Sequence, residues 1–294
     1  MRKIVIASIA IVFVMTNVFA QEEIKKEKNR GGKDFSEILP HAGDFALGLD
    51  MANFVKTINN SITNAATGNS VVAFQSDFFG KYFLTDRSAV RARLGIRINN
   101  RTDRQFVRDD AKNLLSPPID PILEEKTVDV YKRRQTELVL GIGYEYRRSL
   151  WRVQGYVGGE VFGGVGLNRH ILEYGNPMSD ANTNPTLSQI QQGLFLEEPA
   201  AANALGYRIL ESVKGNTMIL GAAIFIGADF FICRNLSIGA EFDLEGRYNR
   251  TGELGFRTET WLLQQAYTAE ERLVPVTSSF RLHPTGRLNL SIYF

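Results

Sequence analysis

Apolar and polar residues alternate along the last stretch of the chain, Thr277 to Phe294. From Phe280 onward every even position is apolar, Pro or Gly, and the odd positions include Arg281, His283 and Arg287. Successive side chains of a strand point to opposite faces, so the pattern predicts a β-strand with one apolar and one polar face. A soluble sheet could use the same pattern over a core. Its recurrence along the chain and the aromatic last residue favour a barrel with lipid outside and polar side chains inside.

Seven earlier segments repeat this alternation. The third begins at Ala89, where five apolar residues up to Ile98 are interleaved with three arginines, and the other six are His41–Met51, Val71–Leu84, Val128–Tyr146, Trp151–Leu167, Thr217–Phe231 and Leu236–Tyr248. Each has about the ten residues that a tilted membrane strand needs. The count is therefore about eight strands. It rises to ten if the segment 168–216 contains a further membrane hairpin.

The connections between these segments alternate between long and short. The long polar ones are Ala52–Ser70, Arg101–Lys126, Asn168–Asn216 and Asn249–Pro275, and the short ones are Thr85–Ser88, Arg147–Leu150 and Ile232–Asn235. This asymmetry predicts an all-β, transmembrane, up-and-down antiparallel β-barrel with long extracellular loops, short periplasmic turns and both termini in the periplasm. Hydrocarbon satisfies no backbone amide, so the sheet has to close without an edge.

The N-terminal residues read as export and linker segments. Met1–Ala20 has Arg2 and Lys3, a short apolar run and a small residue at its end, which predicts a secretory signal peptide. Gln21–Pro40 is charged and lacks useful periodicity, which predicts a mobile periplasmic tail before a barrel domain at 41–294. Together these features predict the outer membrane of a Gram-negative bacterium as the location.

Composition excludes several other classes of function. A net charge of +2 gives no reason to expect nucleic acid as a partner. The single cysteine, Cys233, excludes an intrachain disulfide framework, and no pair of His or Cys has metal-ligand spacing, so neither a metal nor a cofactor is expected. After the first twenty residues no run is long and apolar enough for a transmembrane helix.

Two segments resemble a known group of proteins. The run FFGKYFLTDRSAVRARLGI, Phe78 to Ile96, is similar to a strand-turn-strand element of small outer-membrane barrels of the Bacteroidota, and the terminal LNLSIYF resembles a C-terminal assembly signal. The chain from about Ala42 onward is similar to OmpA/OmpX-like eight-stranded barrels. The resemblance implies an outer-membrane barrel that lipid surrounds and the barrel-assembly machinery inserts, the signal being carried by Leu290, Ile292, Tyr293 and Phe294. It says little about the task, because one fold hosts many functions.

Charged residues of both signs occupy the predicted inward positions. An eight-stranded barrel has room only for its own side chains, and buried charges are stable only in pairs, so we expect a structural network and not a wide pore. Glu241, Asp243 and Glu245 should lie near Arg281, His283 and Arg287, because their strands are neighbours. The remaining predicted members are Asp44, Asp50, Lys81, Arg91, Arg93, Arg97, Glu137, Glu145 and Glu160.

Three functional hypotheses follow. The first is a structural or surface-interacting barrel, because its long loops exceed what hairpin closure needs. The second is an accessory subunit of an outer-membrane secretion, assembly or uptake complex, docked through the charged tail. The third is a lipid-modifying enzyme with His170, near Glu173, as general base. That site would also need a nucleophilic serine facing the same rim, and the sequence identifies none, so we expect no enzyme activity.

Overall fold

Eight antiparallel strands close into a ring. The computed structural model describes residues 38–66, 70–115, 124–188 and 207–294. Its elements are β1 (Phe45–Asp50), α1 (Met51–Ala66), β2 (Ser70–Thr85), β3 (Ser88–Arg108), α2 (Asp110–Leu115), β4 (Lys126–Leu150), β5 (Val153–Glu173), β6 (Tyr207–Cys233), β7 (Leu236–Thr251), β8 (Leu254–Leu262), β9 (Gln265–Val274) and β10 (Thr277–Tyr293). Each of β1 to β6 pairs with the next strand along the chain, and β10 pairs with both β7 and β1.

The predicted eight-stranded barrel is confirmed by this ring. Strands β8 and β9 lie outside it as a hairpin, and β8 pairs with the first residues of β6, Tyr207–Lys214. The ten-strand alternative is therefore wrong for the ring, although the segment 168–216 does contribute strand at both of its ends. The predicted signal peptide and all of the predicted tail except residues 38–40 lie outside the described residues.

Three short connections lie at one end of the ring, here called the turn end. They join β2 to β3, β4 to β5 and β6 to β7. The second turn is Trp151–Arg152 and not Arg147–Leu150, because β4 continues to Leu150, which pairs with Val153. Cys233, predicted in a turn, is the last residue of β6. Phe294 also lies at the turn end, where its backbone exchanges two hydrogen bonds with Phe45.

The two faces of the sheet separate as the alternation predicts. On the outer face Ile142 is 67% exposed and Phe242 46%, whereas Asp243 on the inner face is fully buried. An apolar cluster fills the ring near its turn end and consists of Ala46, Phe83, Ala89, Phe231 and Tyr293, with Ile38 and Leu39 packed against it. The periodicity therefore predicted correctly which side chains face inward.

A helix follows β1 directly and takes the place of a strand in the half of the ring farther from the turn end. Residues 52–70 were predicted to form a polar loop, whereas α1 occupies Met51–Ala66. Asp50 caps the helix: its carboxylate accepts hydrogen bonds from the Ala52 amide at 3.0 Å and the Asn53 side chain at 2.6 Å. Beyond Asp50, on the side away from the turn end, no strand of the described residues lies between β2 and β10. The helix contacts both, and the Thr57 hydroxyl bonds the backbone amide and carbonyl of Gln75.

Several strands continue far beyond the length that a membrane requires. β4, β5 and β6 have 25, 21 and 27 residues, whereas about 9–11 suffice to span a bilayer. The predicted loops 101–126, 168–216 and 249–275 are therefore partly strand and helix. We call the structured part beyond the ring the extension; it comprises residues 102–115, 124–134, 168–188, 207–216 and 252–276. None of the helices among the described residues is long and apolar enough to cross a bilayer.

Candidate functional site: the interior of the barrel

The centre of the interior is an ion pair that crosses the ring. Arg91 on β3 donates two hydrogen bonds to Glu241 on β7, at 2.6 and 2.9 Å. The guanidinium lies 4.4 Å from the ring centroids of both Phe79 and Phe225, a geometry that adds cation–π attraction. The Tyr156 hydroxyl donates a further hydrogen bond to Glu241 at 3.0 Å. Arg91 and Glu241 thus each contact a further side chain in addition to each other.

A second set of contacts extends this pair across the ring. Arg93 donates to Glu160 at 2.6 Å and lies 3.5 Å from Asp77 and 3.9 Å from Glu245. Glu160 also lies 3.5 Å from Arg91. Alternating charges therefore connect β2, β3, β5 and β7, and all of these side chains are at most 5% exposed.

Two further groups complete the buried layer. Arg287 on β10 contacts Asp243 at 2.8 Å, Glu241 at 2.9 Å and Asp77 at 3.3 Å. Nearer the turn end, Lys81 lies between two carboxylates, 3.7 Å from Glu145 and 3.6 Å from Asp229. Arg147 bonds the same two carboxylates from the opposite side and is fully buried. We call these side chains the charged layer; its members are Asp77, Lys81, Arg91, Arg93, Glu145, Arg147, Glu160, Asp229, Glu241, Asp243, Glu245 and Arg287.

Sequence reasoning omitted Arg147 from this layer. It was assigned to a turn, but it has the same odd parity along β4 as Glu145 and Gly143. Extending the alternation by two residues would have placed it inside. Asp77 and Asp229, inward in the same alternation, also belong to the layer.

The structure places other predicted members elsewhere. Asp44 precedes β1 and accepts a hydrogen bond from the His41 amide, while Asp50 caps α1. Arg97 and Glu137 pair above the charged layer, at 2.5 Å, and Glu137 also binds Arg247. Arg281 and His283 are exposed and contact none of the acids on β7, although His283 is the register partner of Glu245. The cross-strand reasoning was therefore right for Arg287 and wrong for the other two.

The terminal residues of β10 divide between the two faces. Ile292 and Phe294 are exposed on the outer face, and Leu290 is partly exposed there. Tyr293 is buried inside, where its hydroxyl accepts a hydrogen bond from Ser237 and donates one to Asp229. Three of the four residues of the predicted assembly signal are thus apolar side chains on the outer face.

The half of the ring farther from the turns contains an open cavity of about 1140 Å³, here called the basin. It begins above an apolar group formed by Val139, Phe162, Ile219 and Ala223. Residues from α1 and from every ring strand except β1 line it. Seven strands and α1 thus enclose the cavity, because α1 takes the place of the missing part of β1.

The extension has a core and polar contacts of its own. Tyr131, Leu172, Ile209 and Phe256 form a buried apolar cluster between four strands. Asp129 accepts hydrogen bonds from the backbone amides of Gly175 and Ser188, both at 2.9 Å. These contacts fix the segment after β5 against β4.

Asp110 at the start of α2 ties the predicted loops together. Its carboxylate accepts hydrogen bonds from the Thr186 amide and hydroxyl at 2.7 Å and from Asn182 at 2.8 Å. Partial burial acts to raise the pKa of Asp110, but these hydrogen bonds to its ionised form outweigh it and lower the pKa below its usual range. These hydrogen bonds thus join α2, after β3, to the described residues 182–186 that follow β5.

His170 lies in the extension but is held in place by two neighbours. Its ring nitrogens contact the Tyr131 hydroxyl and the Asn168 side chain, both at 3.0 Å. Burial, with Arg133 and Lys214 nearby, lowers the pKa of His170. Glu173 bonds Lys132 instead of the histidine. Ser212, which sequence reasoning did not find, is the cross-strand register partner of His170, but both ring nitrogens already have other partners.

The described His, Cys, Asp and Glu side chains do not form a metal site. Within residues 38–66, 70–115, 124–188 and 207–294, no group of three or more His, Cys, Asp or Glu side chains is arranged to hold a metal ion. The acids on β7 face arginines instead, as in the contacts of Arg287.

Solved structures that are similar to this chain include two outer membrane proteins. No protein-family model matches the chain, and no curated protein matches it. The chain is similar to the outer membrane protein OprG from Pseudomonas aeruginosa, at 10% identity over 87% of this chain and 98% of OprG, with a TM-score of 0.27. It is also similar to the outer membrane protein AlkL, at 12% identity over 91% of this chain and 96% of AlkL, with a TM-score of 0.24. At these scores neither likeness carries an argument about function.

Proposed function

We propose that this protein is a bacterial outer-membrane β-barrel, closed through its turn-side half by the charged layer, whose extension contacts other molecules outside the cell. The observation that carries the proposal is the inversion of the sheet's two faces. Leucine, isoleucine and valine side chains cover the outside of the ring, while arginine, aspartate and glutamate fill the inside. In water the reverse arrangement is stable, whereas hydrocarbon around the ring favours this one.

Exposed aromatic residues at the turn end support this placement. Tyr82, Tyr144, Tyr146 and Trp151 lie on the outer surface beside the short turns. Aromatic rings favour the boundary between hydrocarbon and head groups, so they mark one edge of the apolar belt. With short turns toward the periplasm, the extension lies outside the cell.

The charged layer supports a closed barrel and not a conduit. Arg91, Glu145, Arg147, Asp229 and Asp243 are all at most 1% exposed, so their side chains fill the cross-section. Moving any of these charges would separate it from its partners in a medium of low dielectric, at a cost of several kcal/mol. We expect the purified protein in planar bilayers to show no steady ion conductance.

The extension supports a role in surface interaction. It has its own apolar cluster and the hydrogen bonds of Asp110 and Asp129. A loop that only connects two neighbouring strands needs neither. The accessory-subunit hypothesis rests on the tail, most of which lies outside the described residues. We propose the barrel-assembly machinery as the partner during biogenesis and outer-membrane lipid as the partner of the folded protein.

Thiol labelling of intact cells tests the proposed placement. Native Cys233 is exposed at the turn end, and Leu263 is 86% exposed at the tip of the β8–β9 hairpin. A membrane-impermeant maleimide should label Leu263→Cys in a Cys233→Ser background on intact cells. It should label native Cys233 only after the outer membrane is permeabilised. Labelling of Cys233 on intact cells, or recovery of the protein in the soluble fraction, would refute the placement.

A further inference from the structure

The basin has an excess of positive charge. Among the described residues that line it, five are cationic, Lys56, Arg97, Lys214, Arg247 and Arg281, whereas Glu137 is the one carboxylate. Glu137 is already shared between Arg97 and Arg247, at 2.5 Å from each. This differs from the charged layer below, where each cation contacts at least two carboxylates.

Arg281 and Arg247 are direct neighbours across two strands. They are register partners on β10 and β7, and like charges placed directly opposite each other destabilise a sheet. Over the part of the chain that the structure describes, Arg281 has no carboxylate within ion-pair distance, and its side chain is exposed to the basin. A bound anion beside Arg281 would offset this repulsion.

Amide and hydroxyl side chains make up much of the remaining lining, beside apolar residues such as Ala73 and Leu167. Gln75, Asn99, Gln135 and Asn249 line the wall, with Thr251 and Ser279 on the neighbouring strands. Such groups donate and accept hydrogen bonds with hydroxyl groups of a ligand. An apolar ligand would gain little from this wall, since ligand sites of that kind are lined mainly by hydrophobic and aromatic side chains.

We propose that the basin binds an anionic, hydroxyl-rich small molecule, a sugar with a phosphate or carboxylate group, with Arg281 and Lys214 contacting the anion and the amide side chains contacting the hydroxyls. The cavity is larger than one sugar ring and holds a mono- or oligosaccharide of this type. The site goes beyond surface interaction by the extension, because apart from Lys214 the residues proposed to contact the ligand belong to the inner wall of the ring.

Calorimetric titration of the full chain in a zwitterionic detergent tests this assignment. The probes are glucose 6-phosphate, glucose and inorganic phosphate. We expect glucose 6-phosphate to bind at least tenfold more tightly than either of the others, because only it offers both groups. Arg281→Gln should weaken its binding at least tenfold. Arg234→Gln, an exposed arginine in the β6–β7 turn, should leave it unchanged.

Three outcomes would overturn the proposal: equal binding of glucose and glucose 6-phosphate, equal binding of inorganic phosphate, or unchanged binding by Arg281→Gln. Folding of each variant is checked by the difference in electrophoretic migration between heated and unheated samples. Lys214→Gln is the second variant, so a folding defect in one does not remove the test. The titration uses no membrane, so its failure leaves the proposed placement intact, and failure of the labelling experiment leaves this site intact.

Discussion

Arg91 and Glu241 are 150 residues apart in sequence and form a two-bonded ion pair across the middle of the barrel. Their strands, β3 and β7, lie on opposite sides of the eight-stranded ring. The pair therefore connects β3 and β7 directly through the interior of the barrel. It also lies in the part of the interior that we propose to be closed to solutes.

Replacing Glu241 with Ala should destabilise the barrel strongly. The change leaves Arg91 buried with Glu160, at 3.5 Å, as its remaining ion-pair partner among the described residues, and it removes a partner of Arg287. Removal of one member of a buried pair typically costs about 3–5 kcal/mol, because the other charge loses its compensation. The measurement is the free energy of unfolding in urea for protein refolded into lipid vesicles.

Two variants control for this prediction. Glu253→Gln breaks an exposed pair with Arg272, and exposed pairs contribute about 0–1 kcal/mol. The double variant Arg91→Leu with Glu241→Leu should recover part of the loss, since it removes both charges. A Glu241→Ala barrel as stable as Glu253→Gln would show that the charged layer does not hold the wall together.

Adjacent glycines on β5 should respond differently to Ala. A Cβ at Gly158, on the inner face, would lie 2.2 Å from the Tyr144 carbonyl oxygen and 2.6 Å from the Phe225 ring. A Cβ at Gly159, on the outer face, would lie 3.6 Å from its nearest neighbour. We expect Gly158→Ala to lower the free energy of unfolding by about 1–3 kcal/mol, as overpacking does.

Gly159→Ala is the matched control for that change. It alters the same strand at the next position, so effects of alanine on strand propensity are common to both variants. Unfolding in lipid vesicles should give it nearly the wild-type value. Equal losses at the two positions would mean that the inner wall relaxes around the added methyl group.

The faces of the ring strands could be predicted from sequence because exposed apolar and buried polar side chains occupy alternate positions there. The rule fails where that contrast ends. In the extension residues 102–105 of β3 are polar on both faces, so this part of the strand was predicted to be a loop. Helix α1 was missed because Asn59 and Asn60 resemble turn residues, although Asp50 before Ala52 was a capping signal.

The basin could not have been predicted from the alternation alone. Its volume depends on α1 taking the place of a strand between β2 and β10, which is a tertiary relationship. Parity placed Arg281 inward, but it did not indicate that Glu245 lies within ion-pair distance of Arg93 instead, at 3.9 Å. Which inward charges pair depends on the tilt of side chains across the ring, and sequence spacing does not contain this information.

Acid should loosen the extension through Asp110. Its folded-state pKa is lowered, so its stabilising contribution is complete above the unfolded value of about 3.9 and is lost as pH falls through the lower folded value. We expect segment 174–188 to become more susceptible to an acid-tolerant protease as pH falls from about 5 to below 3. Peptide mapping by mass spectrometry measures the cleavage.

Asp110→Asn tests the assignment of this pH dependence. The amide of Asn cannot accept all three hydrogen bonds from Thr186 and Asn182, so cleavage at neutral pH should increase and change less with pH. Glu270→Gln, on exposed β9, should behave as the wild type does. If Asp110→Asn keeps the full pH dependence, another carboxylate is responsible.

An arginine on the outer face should be costly only where lipid surrounds it. Ile142 is 67% exposed in the middle of the apolar belt, and Leu263 is 86% exposed at the hairpin tip. In lipid vesicles Ile142→Arg should lower the free energy of unfolding by about 2–4 kcal/mol, and Leu263→Arg by about 0–1. The two sites are both highly exposed, so a soluble protein would tolerate both changes equally. A small, equal effect at the two positions would therefore contradict the proposed membrane belt.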